Sequence, residues 1–510
     1  MNEALEVAGC LAAAGALSLS FLTSDGRLRT AGLLLAGSLA LALITGQGWD
    51  ELSNLRDHPA AFAGLFAAGI VVLAIGAAAM LRWPILLPLL LIAALPFRIR
   101  LHVAGDQEVN LLIPLYVVIG SGVLATVVAT LRGRTQLRRL PKPLVLALVV
   151  VVCLYALQTI YSPDVDFAAR NIGFFLIPFA ILFSLLAEAT WDRRLLRLAL
   201  VVLLAEGLIL ALIGIGQFVD EHIFWNGKLE ASNDFHFYFR VNSLFWDPNI
   251  YGRYLVLTIL LATTTLAWAA SRVLAIALAG AVAIAFAGLL FAFSQTSFIA
   301  LFAGLIVLVA LRWNFKWTAV ATLVAVVAVG AAVIVRSSND DSGSINTEGH
   351  GTLVSGGLKL AKHRPLYGYG SASFSKEFAQ EENVPPGDTT ISHSEPVTVA
   401  AEQGAIGVIA YLALLGAALW TILDGMRGMA PGLGAPFRSL AEGDRVELTP
   451  ARIAIAAAFC ALLVHTIGYA AYLTDPLTWA LLAAGGVLAA EVGAGDWPAR
   501  KRAPSGQSEG

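Results

Sequence analysis

Three clusters of polar residues in the second half of the chain carry side chains that could do chemistry. The first runs from Arg240 to Asn249 (RVNSLFWDPN) and is followed by Arg253. Asp-Pro-Asn is typical of a helix start, so Asn249 is predicted to cap the helix that follows. Two arginines beside a helix N-terminus could bind a phosphate or diphosphate, because guanidinium and backbone N–H groups both donate to it. Anchoring at the membrane boundary is the alternative interpretation.

The second cluster spans 363–374 (HRPLYGYGSASF), and the third spans 392–407 and includes His393. The glycines of the second allow a tight backbone path, although an ordinary Pro/Gly turn explains them equally well. In the third, His393 could accept a proton at the mouth of a helix bundle, unless it is simply solvated. Two acidic segments, 164–166 and 339–341, are interpreted as hydrophilic turns rather than as metal sites.

A scaffold embedded in a membrane must position these residues. Apolar residues make up 58% of the 510-residue chain and charged residues 13%, whereas soluble proteins carry roughly 25% charge. The net charge of −2 gives no indication of nucleic-acid binding. Cys10, Cys153 and Cys460 each lie in an apolar run, which argues against a disulfide framework or a zinc site. The composition predicts an all-α, polytopic transmembrane helix bundle.

Apolar runs of about 17 to 22 residues predict the membrane spans, which number about 12–15. The run at 84–97 is short and holds three prolines, so this span is predicted to be re-entrant or broken. The predicted spans are 4–22, 30–46, 60–81, 84–97, 110–131, 143–161, 171–188, 195–218, 251–268, 273–293, 297–312, 316–335, 404–423, 452–473 and 476–492.

Basic residues predict the orientation of these spans. Clusters of arginine and lysine within 132–142, 193–197, 312–316 and 500–502 all fall on one side if the spans alternate, and that side is predicted to be cytoplasmic. The first helix is predicted to be retained, with its N-terminus outside, rather than cleaved as a signal peptide.

The opposite, extracytoplasmic face then holds the loops 162–170, 219–250 and 336–403. Within the last of these, 351–363 is predicted to form a helix at the membrane interface. The predicted organisation is N-terminal transmembrane helices at 1–218, an extracytoplasmic loop at 219–250, transmembrane helices at 251–335, a long extracytoplasmic catalytic loop at 336–403, C-terminal transmembrane helices at 404–497 and a disordered cytoplasmic tail at 498–510.

The order of the motifs resembles that of the O-antigen ligase and O-antigen polymerase superfamily over residues 240–425. An arginine precedes an Asp-Pro-Asn helix start, and a Ser-Gln-Thr-Ser hinge follows at 294–297. A long loop then contains HRPLYGYG and ends with His393 before Glu-Gln-Gly-Ala-Ile-Gly at 402–407. Upstream of Arg240, the helices match the family only in being hydrophobic.

The resemblance implies a metal-independent, cofactor-free glycosyltransferase in a bacterial inner membrane, with its active face extracytoplasmic. Its donor would be a glycan on undecaprenyl diphosphate, and its acceptor lipid A-core or another glycan. Arg240 matches the family's arginine before the helix start and would stabilise the leaving diphosphate. His393 matches the loop histidine and would act as the base, with Glu395 in reserve. The residues expected to bind diphosphate or substrate are Arg253, Arg364, His363, Asn249 and Arg170.

Two departures from the family pattern affect how many arginines contact the diphosphate. Many members have Ser-Arg in the hinge where this chain has Ser294 and Gln295, and many carry an arginine near 348–350. Arg253 or Arg170 is therefore considered as a substitute.

Other functions remain open from the sequence. A polymerase would differ from a ligase only in its acceptor, and assembly of a capsule or exopolysaccharide fits the same motifs. A transporter or flippase is the alternative from another class. Such proteins place charges at mid-membrane, where this chain offers mainly Glu206 and His465.

Overall fold

The computed structural model describes residues 2–47, 58–103, 107–134, 140–235, 238–312, 348–383, 392–424 and 445–495. The predicted span 316–335, the acidic turn 339–341 and the predicted tail 498–510 lie outside these residues. Within the described part, 12 helices are long and apolar enough to cross a membrane, and Pro476–Ala490 is a shorter apolar helix. The predicted polytopic helical bundle is therefore confirmed.

In chain order, the elements are α1 (Glu3–Leu22), α2 (Gly26–Gln47), α3 (Pro59–Arg82), α4 (Leu86–Ala93), β1 (Ile99–Val103), β2 (Gln107–Leu111), α5 (Ile113–Leu131), α6 (Lys142–Leu157), a 3₁₀ turn (Gln158–Tyr161), α7 (Val165–Asn171), a π-helical segment (Ile172–Leu176), α8 (Ile177–Glu188), α9 (Arg193–Asp220), α10 (Gly227–Asn233), α11 (Pro248–Ala267), α12 (Arg272–Ala292), α13 (Gln295–Arg312), α14 (Glu348–His363), α15 (Phe374–Glu382), α16 (Glu395–Leu423), α17 (Arg445–Gly468) and α18 (Pro476–Gly495).

The short apolar run at 84–97 is a broken crossing of the bundle. Helices α3 and α5 run in the same direction, because Leu73 lies close to Gly120 and Ser121 lies close to Gly76. The segment between them must therefore return the chain to the opposite end, although α4 has only 8 residues. The strands β1 and β2, which were not predicted, then form an antiparallel hairpin with Ile99 paired to Leu111.

Helix boundaries differ clearly from the predicted ones at four places. Helix α7 begins at Val165, inside the predicted loop 162–170, because Asp164 accepts a hydrogen bond from the Phe167 backbone N–H at 3.1 Å and caps the helix. Helix α16 begins at Glu395 rather than 404, and helix α10 lies within the predicted loop 219–250. Helix α14 covers the predicted interfacial helix at 351–363 and begins earlier, at 348.

The N-termini of α11, α13, α16 and α18 meet at one end of the bundle. We call it the cavity end, because a cavity opens there. Ser294 before α13 donates to Asn249 in α11, and Arg253 in α11 pairs with Asp475 before α18. The Glu395 carboxylate at the start of α16 accepts a hydrogen bond from the Tyr472 backbone N–H. Residues from distant parts of the sequence are thus brought together around four helix starts.

Candidate active site

Two helices at the cavity end, α11 and α18, begin with an Asp-Pro sequence. Asn249 was predicted to cap α11, and this prediction is wrong: the cap is Asp247, whose carboxylate accepts from the Asn249 backbone N–H at 2.6 Å. Asp475 precedes Pro476 in the same way and accepts from the Leu477 backbone N–H at 2.9 Å. The two starts therefore use the same local chemistry, and the side chain of Asn249 is left for other contacts.

Arg253 joins the two helix starts and is 3% exposed. Its Nη1 lies 2.6 Å from Asp475 Oδ2 and also donates to the carbonyl of Ala471 at 2.9 Å. Its Nε and Nη2 donate to His465 Nδ1 at 3.3 and 3.1 Å, and Nη2 also donates to the Tyr469 carbonyl. The N–H donors of the Arg253 guanidinium group are thus all engaged by acceptors of the protein itself. Binding a diphosphate, the role predicted for Arg253, would require it to release these partners.

A hydrogen-bonded chain leads from Arg253 to Asn249. A guanidinium group can only donate, so His465 Nδ1 must be the acceptor and Nε2 carries the ring proton. Nε2 then donates to Ser297 Oγ at 3.1 Å, Ser297 is 2.8 Å from Ser294 Oγ, and Ser294 donates to Asn249 Oδ1 at 2.7 Å. This direction fixes the Asn249 amide with its NH₂ group pointing away from the hinge.

His393 lies near these hydrogen-bonded side chains and has a left-handed backbone conformation, with φ of 57°. Such a conformation costs a non-glycine residue about 1–3 kcal/mol, and residues that adopt it cluster at functional sites. The His393 ring is 6.1 Å from the Tyr469 ring, which is 6.0 Å from the His465 ring. Burial raises the pKa of Tyr469 well above its usual value, and the neighbouring Asp247 carboxylate adds to this, so the hydroxyl stays protonated.

The glycine-rich turn after α14 packs against a break in α16. The N–H groups of Tyr369 and Gly370 donate to the carbonyls of Ala401 and Glu402, and those of Ala405 and Ile406 donate to the carbonyls of Pro365 and Leu366. Only glycine allows this approach. A Cβ at Gly368, where φ is +67°, would lie 2.3 Å from the Glu402 carbonyl oxygen, and one at Gly404 would lie 2.5 Å from the Leu366 backbone.

Glu402 completes the contact between these two segments. Its carboxylate is buried and accepts from the backbone N–H groups of Ala372 at 3.0 Å and Phe374 at 3.2 Å. The Ser371 hydroxyl donates to the Tyr155 carbonyl, and Ser162 donates to the Ser371 carbonyl. The second and third sequence clusters thus form one unit whose shape depends on glycine and on a buried carboxylate.

A cavity of about 310 Å³ opens between this unit and the helix starts. One part of its wall is apolar and includes Val151, Phe175 and Leu473, and the rest is polar. In the described part of the chain, no group of three or more His, Cys, Asp or Glu side chains is arranged to hold a metal ion. The polar lining residues are Arg98, Tyr155, Asn171, Glu395, Thr398, Glu402, Gln403, Tyr469, Thr474 and Asp475.

The predicted site residues divide into an inner and an outer group. Asn249, Arg253, His393 and Glu395 all lie at the cavity end. Arg240 reaches the same place, because its Nε donates to the carbonyl of Ala292 at 3.4 Å, next to the hinge that holds Asn249. There it satisfies a carbonyl at the C-terminus of α12, where a positive charge is favoured.

The outer group consists of three exposed side chains. Arg364 lies over the Tyr369 ring at 4.3 Å, and His363 Nδ1 is 3.9 Å from Glu381 Oε2. Arg170 is exposed in the last turn of α7, next to Asn171, which lines the cavity. Among the described contacts, none joins these three residues to Arg253 or His393.

The sequence motifs do not identify four residues of the candidate site. They are Arg98, Tyr469, Asp475 and His465, the last of which the sequence shows only as a polar residue within a predicted span. Asp475-Pro476 repeats the Asp-Pro signal of 247–248 and could have been found. Arg98 follows an apolar run broken by prolines, which is also a usable signal. Tyr469 has no local signal, because only tertiary packing places it between the two histidines.

Comparison with known families supports the assignment made from the motifs. Residues 254–412 match the family model described as O-Antigen ligase. The matched segment begins within α11 and ends within α16, so it includes the hinge, the glycine-rich turn and His393. No curated protein sequence matches the chain at a significant level.

Proposed function

Since the chain carries an O-antigen ligase domain and is a multi-pass membrane protein, we propose that it transfers a glycan from an undecaprenyl-diphosphate carrier to a lipid or glycan acceptor. The active face would be the extracytoplasmic one, in a bacterial inner membrane. The acceptor would be lipid A-core for a ligase, or another carrier-linked glycan for a polymerase.

One observation carries this proposal: His393, within the family-matched segment, has a left-handed backbone conformation, and its ring lies 6.1 Å from that of Tyr469, which lines a cavity with polar and apolar walls. Strain of this kind persists only where the surrounding structure enforces it. His393 stands two residues before the start of α16. A histidine so placed is suited to take a proton from an acceptor hydroxyl.

The proposed step is a single substitution at the anomeric carbon of the donor. The acceptor hydroxyl oxygen forms a bond to this carbon, and the bond from the carbon to the diphosphate oxygen breaks. The hydroxyl proton passes to His393, and the lipid diphosphate leaves with the bonding electron pair. Glu395 is the reserve base, because its carboxylate lines the cavity and accepts a hydrogen bond from the Tyr472 backbone N–H.

The negative charge that grows on the leaving diphosphate needs stabilisation. Arg240 is our first choice for this role, since it is at the cavity end and a guanidinium group binds phosphate through two donors. The Asn249 NH₂ group is oriented to donate alongside it. Arg364, His363 and Arg170 would guide the donor at the outer rim. Arg253 would act as a positioning residue, because its donors already hold His465, Asp475 and the carbonyls near them.

The proposal is tested with purified protein in lipid nanodiscs, a carrier-linked oligosaccharide and two separate acceptors. We expect His393→Ala and Arg240→Ala each to reduce transfer by about 100-fold or more. The matched controls are His222→Ala and Arg82→Ala, which alter exposed residues outside the cavity. Activity should persist in a chelator, because the proposed step uses no metal ion. Wild-type-like transfer by both site variants would exclude this mechanism.

The same assay separates the two acceptor classes. Product attached to lipid A-core assigns a ligase, and a lengthened carrier-linked chain assigns a polymerase. Movement of the glycan across the membrane without a new glycosidic bond would instead support a transporter.

A further inference from the structure

Among its described lining residues, the cavity holds one cationic side chain, Arg98, and three carboxylates. Each carboxylate is already satisfied by the protein. Glu402 accepts from two backbone N–H groups, Asp475 from Arg253 and the Leu477 N–H, and Glu395 from the Tyr472 N–H. The three carboxylates of the cavity are therefore hydrogen-bonded within the protein, whereas the guanidinium group of Arg98 is available to an anionic ligand.

The Arg98 Nε atom is buried and has no hydrogen-bond partner in the described part of the chain. A buried donor without a partner costs about 1–3 kcal/mol, and more when the group is charged. Proteins keep such groups where a ligand supplies the missing acceptor. No ion pair between Arg98 and a described carboxylate compensates this cost.

Packing of the neighbouring backbone segment fixes the position of Arg98. The residue lies between the broken crossing segment 84–97 and the first strand of the hairpin. On the inner side, Leu91, Ile92, Ala94 and Leu95 are buried, so the end of the crossing is fixed by packing. The guanidinium group is therefore carried to the cavity by a packed segment rather than by a free loop.

The shape of the cavity indicates what kind of anion belongs there. Its volume of about 310 Å³ is at the small end of ligand sites, which suits a headgroup better than an oligosaccharide. Arg98 faces the same space as the apolar Phe175 and Leu473. A group that joins an anion to a hydrocarbon chain fits both surfaces, whereas a free charged sugar would fit only one.

We propose that Arg98 binds a phosphate group of the lipid diphosphate inside this cavity, beside Tyr469. The inference rests on the proposed function and identifies a residue that fixes the donor headgroup. Arg98 presents a fork of donors that matches two phosphate oxygens. Both Arg98 and Tyr469 line the cavity, and the positive charge of Arg98 opposes the rise in the pKa of Tyr469 that burial and Asp247 cause.

The test measures binding, so it does not depend on catalytic turnover. Purified wild-type protein, Arg98→Gln and Arg98→Lys are titrated with undecaprenyl diphosphate that carries no glycan, and separately with undecaprenol, which has no phosphate. Arg98→Gln should weaken undecaprenyl diphosphate binding about 10- to 100-fold, and Arg98→Lys should weaken it less. Binding of undecaprenol should not change. Arg82→Gln, at the other end of the broken crossing, is the matched control and should bind like the wild type.

Thermal unfolding separates a ligand role from a structural one. Because Arg98 lacks a described partner, Arg98→Gln should leave the melting temperature of the free protein unchanged or raise it, while reducing the stabilisation by undecaprenyl diphosphate. A lower melting temperature with unchanged affinity would assign Arg98 to the fold and overturn the inference. Wild-type-like affinity in Arg98→Gln, with transfer intact in the wild type, would overturn the inference alone. Absence of both binding and transfer in the wild type would overturn the proposed function as well.

Discussion

Two ion pairs of nearly equal length lie in very different surroundings. Arg253 and Asp475 are 2.6 Å apart at the helix starts, with side chains 2% and 8% exposed. Lys359 and Glu382 are 2.7 Å apart between α14 and α15, with side chains 54% and 25% exposed. Because water screens the second pair and not the first, similar distances correspond to very different contributions to the free energy of unfolding.

The same contrast applies to the candidate site. At the helix starts, the buried cation is saturated by protein acceptors and orients Asn249 through His465 and the hinge. On the α14–α15 side, Arg364 is exposed and stacks on a tyrosine ring. A saturated cation maintains geometry, and an accessible one can meet an anionic substrate. Burial therefore distinguishes an arginine that maintains geometry from one that can bind substrate. The sequence alone does not make this distinction.

The largest expected effect comes from breaking the buried pair. Arg253→Ala leaves Asp475 without its cation and His465 without its donor, so we expect the free energy of unfolding to fall by about 3–5 kcal/mol. Folded yield and melting temperature in detergent measure this. The double variant Arg253→Met with Asp475→Leu removes both charges and should recover part of the loss. Equal instability of the single and double variants would show that the pair itself is not the cause.

The next effect concerns the contact between the glycine-rich turn and α16. Gly404→Ala would place a Cβ 2.5 Å from the Leu366 backbone at a residue with φ of +61°, so the turn must move away. We expect a loss of about 2 kcal/mol or more in stability and a larger loss in transfer, because Glu402 and Gln403, next to this glycine, line the cavity. Gly416→Ala is the control, since it lies in the same helix with open space around it. It should be neutral or slightly stabilising.

A smaller effect is expected from the exposed arginine of the outer group. Arg364→Gln should reduce transfer by about tenfold, because one proposed donor to the diphosphate would be lost while the proposed donor Arg240 would remain. Its melting temperature should not change, since the side chain is exposed. Lys362→Gln removes an equal charge nearby in the last turn of α14 and serves as the control. A comparable fall in transfer for both variants would indicate general attraction of an anionic donor rather than a specific contact.

Local patterns predicted the bundle well, because a membrane requires long apolar helices and the sequence shows them directly. The broken crossing at 84–97 was predicted from its prolines. The start of α16 was not, because the apolar run begins near Gly404, whereas the helix continues upstream to Glu395 through a residue with non-helical φ and ψ. The upstream part begins with Glu395 and Pro396 and contains Glu402 and Gln403, so a search for apolar runs does not detect it.

Residues of the candidate site could be proposed from the sequence only where a motif carries its own chemistry. His393 and Arg240 stand next to recognisable helix starts. Arg98 and Tyr469 belong to segments separated by several hundred residues, and only packing places them at one cavity. The role of Arg253 was also hidden, because its partners His465 and Asp475 come from α17 and the start of α18. A buried network of this kind is a tertiary property, and no periodicity in the sequence encodes it.

The smallest effect tests the other side of the comparison. Lys359→Ala removes the exposed pair with Glu382, and we expect no measurable change in melting temperature or in transfer. Water replaces the ammonium group around the carboxylate, and the side chain recovers its conformational freedom. A melting-temperature loss like that of Arg253→Ala would mean that α14 and α15 are held together by this charge. Helix packing would then be the weaker contributor, although Phe374 and Phe378 are buried there and stacked 5.6 Å apart.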